Sequence, residues 1–265
     1  MRITSLHTYP VKGCHRLDHD AAVVEPQGLA GDRRWMIVDP EGIGLTQRQH
    51  PVLTQLHAVP VPHGLTLNGT FSVDEPVDGP KETIRVFKSK IPFAARIATP
   101  ASAWLSEFLG RPARLAWLAD PTARPIETHA LPSDRVSFAD GYPLLLTNEA
   151  SLDALNEFLK DEAVPMTRFR PNVVVSGALP WAEDDWLGGR LQLGETLFRA
   201  AKSCSRCVVT TIDQETGETG RQPLRALGEH RRYDDGLLFG INLIPDITPG
   251  GTGVIRVGES SLALS

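Results

Sequence analysis

The feature that most restricts the fold of this chain is a succession of short apolar segments separated by turn residues. Examples from the first half are Ile3–Tyr9, Leu53–Val61, Gly64–Leu67, Phe71–Val73 and Thr83–Phe87. Proline, glycine, asparagine and aspartate lie between them, and the 265 residues include 23 Gly and 21 Pro. This spacing is typical of antiparallel barrels and sandwiches, and it leaves little room for long helices. The chain is therefore predicted to be mainly β with a few helices, an α+β fold.

Two stretches carry helical periodicity instead. Ala101–Leu109 has apolar residues at helical spacing and is followed by Gly110 and Pro112, which end helices. A second helix is predicted from Asn148, a good N-cap, to about Lys160. Between these helices lies a proline-rich loop, residues 120–134, where we place a domain boundary. The predicted domains are residues 1–120 and residues 121–265.

Charge and cysteine content limit the partners and the compartment. The net charge of −5 argues against a nucleic-acid-binding surface, which would be basic. No apolar run approaches the ~20 residues of a membrane helix, and no signal peptide is evident at the N-terminus. Three cysteines, an odd number, suit a reducing compartment better than a disulfide framework. We therefore expect a cytoplasmic protein that binds neither nucleic acid nor membrane.

Two of the cysteines form a C-x-x-C pair, Cys204 and Cys207, with Arg206 beside the second. The following residues, Val208–Ile212, are predicted to form a strand, and Asp213–Gly217 a tight turn. A structural zinc site would need further Cys or His ligands, and a thioredoxin-like pair would precede a helix. Two interpretations remain open: both residues are small apolar side chains, or one thiolate binds a metal whose other ligands belong to a cofactor.

A cofactor of that kind is anionic, and several cations follow turns or strand ends. Lys12 and Gly13 lie in a glycine-containing turn, where an ammonium group and a backbone N–H can converge on phosphate. Arg33 and Arg48 are predicted on neighbouring strands of a hairpin whose return strand is 45–49. Arg170 precedes a proline, which predicts an extended backbone. Taken singly, each of these residues suits an exposed surface, whereas together they indicate an anionic ligand beside a thiolate.

Four motifs give the chain a family resemblance. They are Y-P-V-K-G at 9–13, D-R-R-W at 32–35, F-R-P-N at 169–172 and C-S-R-C-V-V-T-T-I-D at 204–213. The chain resembles the MOSC family, whose domain is similar to the C-terminal part of molybdenum cofactor sulfurase. The likeness is greatest to the group that adds an N-terminal β-barrel and includes amidoxime- and hydroxylaminopurine-reducing proteins. It implies an N-terminal β-barrel domain followed by a MOSC-type β-barrel domain.

The resemblance also implies a cofactor, molybdenum-molybdopterin, and a set of site residues. The second cysteine of the C-x-R-C block, Cys207, would be the metal ligand and the catalytic residue, with Cys204 in support. The cofactor-binding positions would fall on Lys12, Gly13, Arg33, Thr147, Asn148, Arg170, Ser205, Arg206 and Asn242. Gly13 stands where mitochondrial relatives have Ser, and Asn242 stands where they have Tyr.

The function implied by the resemblance is the reduction of N-hydroxylated small molecules to amines. Electrons would come from separate ferredoxin- or flavin-type proteins, and Asp213 is a candidate proton relay. A second hypothesis is a cofactor carrier, or a sulfur-transfer protein with a persulfide on Cys207. A third is a β-rich binding module without redox chemistry.

Overall fold

The computed structural model describes residues 1–87, 89–159 and 162–264. Within them the chain forms twenty β-strands and three α-helices, which confirms the predicted α+β class. The helices are α1 (Ala101–Leu109), α2 (Glu149–Leu159) and α3 (Leu224–His230). The strands are β1 (Arg2–Thr8), β2 (Val11–Lys12), β3 (Leu17–His19), β4 (Ala21–Glu25), β5 (Gly28–Leu29), β6 (Trp35–Val38), β7 (Ala58–Val61), β8 (Gly64–Leu67), β9 (Phe71–Asp74), β10 (Glu82–Val86), β11 (Ser89–Ile97), β12 (Arg114–Leu118), β13 (Leu144–Asn148), β14 (Val173–Ser176), β15 (Arg190–Leu193), β16 (Thr196–Ser205), β17 (Arg232–Tyr233), β18 (Gly236–Pro245), β19 (Gly253–Arg256) and β20 (Ser261–Leu264).

The largest sheet has the order β20-β15-β16-β18-β13-β14-β1-β3, with β17 paired to β18. Strand β1 therefore joins strands of the second half, antiparallel to β14. A five-stranded sheet, β10-β11-β12-β6-β2, belongs to the first half, and two three-stranded sheets, β19-β4-β5 and β7-β8-β9, complete the architecture. The division into residues 1–120 and 121–265 stays a prediction.

Separate apolar cores support the two halves. In the first half, buried Trp35, Leu53 and Leu115 pack with α1. In the large sheet, Leu146, Val175 and Ile241 belong to a second core. Burial of this much aliphatic surface is the main favourable term in folding, at about 25 cal/mol per Å². The turns and strand ends between the cores are left free to form a cavity.

Helix α1 begins and ends as predicted, and its end has a clear cause. Gly110 adopts a left-handed conformation with φ of 64°, and its N–H donates to carbonyls of the last turn. Glycine adopts that conformation without the steric cost that other residues incur. The second helix is described from Glu149 to Leu159, directly after Asn148, while the predicted end at Lys160 lies outside the described residues.

The predicted strand Val208–Ile212 is wrong. Val208–Thr211 forms a 3₁₀ helix, and Cys207 is its extended N-cap, with φ of −132° and ψ of −177°. The Thr210 and Thr211 hydroxyls donate to carbonyls three residues earlier, at 2.9 and 2.8 Å. Such local bonds offer the backbone an alternative to a sheet ladder, and they outweigh the β-propensity of Val and Thr. The C-x-x-C pair therefore lies where a strand ends and a helical turn begins.

The predicted return strand 45–49 is also wrong, because no strand forms there. The Leu45 N–H donates to the Ile37 carbonyl, but the chain then turns, and the N–H groups of Gln49 and His50 both donate to the Thr46 carbonyl. Arg33 lies in a turn before β6, with φ of 49°. Arg33 and Arg48 therefore lie on turns, and not on paired strands.

No helix in the described part of the chain is long and apolar enough to cross a bilayer.

Candidate functional site

A cavity of about 950 Å³, including its open mouth, lies between residues of the two halves of the chain. Eight predicted site residues line it, as do Arg48 and Cys204. The eight are Lys12, Gly13, Arg33, Arg170, Ser205, Arg206, Cys207 and Asn242. They come from the end of β2, the turn before β6, the segment before β14, the end of β16 and the middle of β18. The fold therefore gathers most of the residues that the motifs singled out.

The thiol groups lie beside guanidinium groups at one end of the cavity. Arg48 Nη2 donates to Cys207 Sγ at 3.3 Å, and Arg206 Nη1 donates to Cys204 Sγ at 2.8 Å. The Cys207 and Cys204 side chains are both half-buried. Cys14, in contrast, is fully buried, and burial raises the pKa of its thiol to about 12. Cys14 is therefore an apolar core residue, and the two accessible thiols belong to the C-x-x-C pair.

At another wall of the cavity, two arginines flank the ring of Tyr9. The guanidinium carbons of Arg33 and Arg170 lie 4.5 and 4.2 Å from the ring centroid. Tyr9 is fully buried, its hydroxyl donates to the Pro171 carbonyl at 3.0 Å, and burial raises its pKa to about 12. The neutral ring therefore holds two like charges close together. An anion between the guanidinium groups would relieve their repulsion.

The surrounding polar groups neutralise the positive charges of Arg33 and Arg170 to different extents. Buried Asp32 pairs with Arg33 and raises its pKa although burial opposes the charge. Arg170 has no carboxylate partner among the described residues; it donates to Gln214 Oε1 at 2.6 Å and to the Cys14 carbonyl at 2.8 Å. Burial and the nearby charge of Arg33 lower the pKa of Arg170, partly opposed by Tyr9. Of these two arginines, Arg170 is therefore the one that a bound anion would stabilise more.

The backbone at both arginines is strained. Arg33 has φ of 49° and Arg170 has φ of 55°, so both lie in the left-handed region. The prediction of an extended backbone at Arg170 is wrong. Arg170 is the C-cap of the 3₁₀ helix Met166–Phe169, and its N–H donates to the Thr167 carbonyl. The bonds of its guanidinium group hold it there against the preference imposed by Pro171. Strain of this kind collects at functional sites, where the surrounding contacts determine the geometry.

Asn172 supports this wall from behind. It is almost fully buried, and its Oδ1 accepts from Arg33 Nη1 at 3.1 Å and from the Leu145 N–H at 3.2 Å. Its Nδ2 donates to the His7 carbonyl at 3.1 Å. A single side chain thus joins β1, β13 and a cavity-lining arginine. This explains the polar residue that ends the F-R-P-N motif.

A third wall carries an ion pair between Lys12 and Asp140. Burial lowers the pKa of Lys12, and Asp140 partly opposes that effect. The Asp140 side chain is largely exposed, and the nearby charges of Lys12 and Arg33 keep the pKa of this carboxyl below its usual value. The loop that presents Asp140 is fixed by Arg124, which donates to the carbonyls of Ser137 and Ala139 and, at 2.6 Å, to that of Asp140.

The charge inside the cavity is opposite to that of the whole protein. Among the described lining residues there are five cationic side chains, Lys12, Arg33, Arg48, Arg170 and Arg206, and one carboxylate, Asp140. Arg206 Nε is also buried without a hydrogen-bond partner in the described structure. No cluster of three or more His, Cys, Asp or Glu able to hold a metal occurs in the described residues. The cationic lining therefore suits an anion.

Two predicted residues, Thr147 and Asn148, are not among the described residues that line the cavity. Both lie at the end of β13 and are fully buried. Asn148 Oδ1 accepts from the Ala150 N–H at 3.3 Å, and its Nδ2 lies 3.3 Å from Glu183 Oε2. The bond from Ala150 is that of the N-cap predicted for α2 at Asn148. Thr147 Oγ1 has no hydrogen-bond partner in the described structure.

Glu183 gives a pH-dependent prediction. It is fully buried, and burial raises the pKa of its carboxyl although Ser151 and Asn148 donate to it. The folded protein therefore binds this proton more tightly than the unfolded chain does. Its contribution to stability is present below the ordinary pKa of Glu and is lost as the pH rises through the folded pKa. Glu183→Gln should therefore raise the stability at pH 8 by about 1 kcal/mol, or ~2–4 °C in Tm.

Thermal unfolding of the variant and the parent at pH 5 and pH 8 checks this expectation. The gain should shrink at pH 5, because the raised pKa leaves more of the parent carboxyl neutral there than at pH 8. An equal gain at both pH values, or a loss at pH 8, would contradict it. Glu162→Gln, at an exposed carboxylate, is the matched control and should change little.

The predicted proton relay, Asp213, has a different place. Its Oδ1 accepts from the N–H groups of Glu215 and Thr216, and its Oδ2 accepts from Arg168 at 3.1 Å. These bonds build the predicted turn Asp213–Gly217, in which Gly217 has φ of 77°. Asp213 is not among the described cavity residues, whereas Asp140 is. Asp140 therefore replaces Asp213 as the candidate relay.

Sequence reasoning missed several residues of the site. Tyr9 belongs to the Y-P-V-K-G motif, so the motif itself was a signal, but only the fold shows two arginines against its ring. Gln47 bridges the two halves: its Nε2 donates to the Gly13 carbonyl at 2.7 Å and to Gln214 Oε1 at 3.0 Å. Asp140 and Phe87 carried no signal in the sequence. Both lie outside the quoted motifs.

Comparison with known proteins gives the family. The MOSC N-terminal beta barrel domain matches residues 1–112, and the MOSC domain matches residues 133–261. Mitochondrial amidoxime-reducing component 1 from Homo sapiens is 33% identical over 249 residues, which cover 88% of this chain and 72% of that protein. The chain belongs to the MOSC family. An N-terminal barrel domain followed by a MOSC domain is therefore its organisation.

Other MOSC relatives extend the comparison. Molybdenum cofactor sulfurase from Danio rerio is 32% identical over 255 residues, covering 86% of this chain and 30% of the sulfurase. The likeness to the sulfurase is thus confined to under a third of that protein. Among solved structures, the YuaD protein from Bacillus subtilis aligns with 98% of this chain and 93% of its own, at 12% identity and a TM-score of 0.45.

Proposed function

We propose that this MOSC protein is a molybdenum-cofactor-dependent oxidoreductase that reduces N-hydroxylated compounds to amines. Candidate substrates are hydroxylamines, amidoximes and N-hydroxylated bases. The observation that carries the proposal is a half-buried thiol, Cys207, in the same cavity as five cations. The names of the amidoxime-reducing relatives support the reaction class.

The residues present fit a molybdopterin cofactor. Its phosphate is an anion, and Lys12, Arg33 and Arg170 all line the cavity, with the two arginines beside the Tyr9 ring. Arg206 adds a buried Nε that lacks a partner in the described structure. Cys207 is the proposed metal ligand, because thiolates suit soft, sulfur-rich metal sites. When bound, the cofactor supplies two-electron oxygen-atom chemistry.

The chain's own residues bind and orient the cofactor and the substrate, and they transfer protons. The overall reaction converts R–NHOH, two electrons and two protons into R–NH₂ and water, so the N–O bond breaks and two protons must arrive. Asp140 is the one carboxylate among the described cavity residues, and Lys12 keeps its pKa low. The Asp140 side chain is exposed to solvent, and because its pKa is low it holds a proton only briefly. We propose that it passes protons from solvent inward one at a time. The electrons are proposed to come from a separate ferredoxin- or flavin-type protein in the cytoplasm.

Purified protein from a host that makes the molybdenum cofactor tests this proposal. The expected result is stoichiometric molybdenum and turnover of an amidoxime, a hydroxylamine or an N-hydroxylated base with reduced viologen as the electron donor. Fully molybdenum-loaded protein that reduces none of the three classes would contradict it.

A second candidate function is cofactor carriage or sulfur transfer. Cys204 and Cys207 both line the cavity, and each accepts a hydrogen bond from a guanidinium group. A persulfide on Cys207 would be stabilised there as an anion, and a sulfurase relative matches 86% of this chain. Intact mass analysis distinguishes the two functions. One added sulfur on Cys207 in metal-free protein favours sulfur transfer, whereas bound molybdenum with N-reductase turnover favours the oxidoreductase.

A further inference from the structure

Phe87 occupies an unusual position at the mouth of the cavity. Phe87 directly follows β10, whose last residue, Val86, pairs with Ser89 of β11. Turn positions with positive φ favour Asn, Asp and Gly. Phe87 has φ of 52°, which is costly for a bulky side chain.

The fold does not need an aromatic residue at this turn. Phe87 is 41% exposed, and it belongs to none of the apolar clusters formed by the described residues. Its ring instead lies in the cavity lining. A strained backbone that presents an exposed ring to a cavity points to a role in binding, because burial does not compensate the strain.

The neighbours of Phe87 place it close to the candidate reaction centre. Lys12 Nζ and the guanidinium carbon of Arg48 lie 5.0 and 5.1 Å from the ring centroid. The same Arg48 donates to Cys207 Sγ at 3.3 Å. One side chain therefore separates the ring from the thiol. The cations attract the electron-rich ring and hold it at the mouth.

We infer that Phe87 is a specificity-determining residue that contacts the ring of substrates whose N–O group is attached to an aromatic or heteroaromatic group. This inference rests on the proposed function. A planar ring gains stacking or edge contacts with Phe87, whereas a small aliphatic hydroxylamine is too short to use them. Phe87 thus selects between substrates and takes no part in breaking the N–O bond.

Two probes and four variants test the inference in the cofactor-loaded protein. The probes are benzamidoxime and N-methylhydroxylamine; the variants are Phe87→Asn, Phe87→Ala, Phe87→Trp and the control Phe158→Ala. Phe158 is comparably exposed, at 44%, and stacks on His230 outside the described cavity lining. Dissociation constants are measured without an electron donor, and KM and kcat with reduced viologen.

Phe87→Asn and Phe87→Ala should weaken benzamidoxime binding by about 5- to 10-fold and leave N-methylhydroxylamine within twofold. Phe87→Trp should restore the preference. Because Asn tolerates positive φ, Phe87→Asn should keep or raise the Tm, which a purely structural role would lower. The loss should appear in KM and not in kcat.

An unchanged ratio of the two dissociation constants in Phe87→Asn would overturn the inference. So would an equal loss for both probes, or the same loss in Phe158→Ala. Failure of the proposed function has a different signature: the parent protein would bind the probes and reduce neither, while the binding ratio would still decide the role of Phe87.

Discussion

Replacement of Cys207 by serine is expected to remove bound molybdenum and to lower N-reductase activity by more than ~100-fold. Loss of a residue that merely supports a metal ligand costs about 10- to 100-fold, so loss of the ligand itself should cost more. The hydroxyl of serine is a harder and less acidic donor than a thiol, and it suits a soft metal poorly. Metal analysis of purified protein and steady-state turnover measure the two effects.

The other two cysteines are the matched controls. In Cys204→Ser the hydroxyl can still accept from Arg206, so activity should stay within about tenfold of the parent. Cys14→Ser alters a buried core position and should lower the Tm without selective loss of metal. Equal metal loss in Cys204→Ser and Cys207→Ser would contradict the assignment of Cys207 as ligand.

Replacement of Arg170 by glutamine is expected to have the second largest effect. It removes a cavity-lining cation that pairs with no carboxylate among the described residues, so cofactor retention should fall by at least ~10-fold, the cost of about one charge-assisted hydrogen bond. The Cys14 carbonyl loses its donor, and Gln214 Oε1 keeps only its bond from Gln47, which should cost about 1–3 kcal/mol of stability. Relief of repulsion with Arg33 offsets part of that cost.

Phosphate and molybdenum content, with urea unfolding, measure these effects. Arg168→Gln is the control, because Arg168 donates to the Thr211 carbonyl and to Asp213 and is not among the described cavity residues. It should lower stability while leaving cofactor content unchanged. If Arg170→Gln retains its cofactor as well as Arg168→Gln does, Arg170 does not hold the anion.

Local signals in the sequence predicted the elements whose causes are local. Helix α1 ends at Gly110 because glycine adopts the left-handed conformation there, and residues 213–217 turn because Asp213 accepts from the following backbone. The motifs also brought most of the candidate site together, since Lys12, Arg33, Arg170 and Cys207 line one cavity. Their roles toward a cofactor stay predictions.

The wrong predictions have a common cause. Hydrogen bonds and long-range contacts that cannot be read from the sequence pattern outweighed the local preferences of the residues. Threonine hydroxyls turned Val208–Thr211 into a 3₁₀ helix, and the bonds of the Arg170 guanidinium group hold its backbone away from the extended region. Asp140 and Phe87 became visible only when loops from the two halves met around the cavity. Spacing along a chain predicts neighbours on one element, but not which turns face each other.

The central claim is that Cys207 and the cationic cavity hold a molybdenum cofactor between them. A crystal structure of the protein from a cofactor-competent host, with anomalous diffraction at the molybdenum edge, tests this claim most directly. The account predicts one metal peak bonded to Cys207 Sγ, with cofactor phosphate density beside Arg33 and Arg170. A fully loaded crystal whose metal peak lies away from Cys207, or whose phosphate lies outside the cavity, would contradict it.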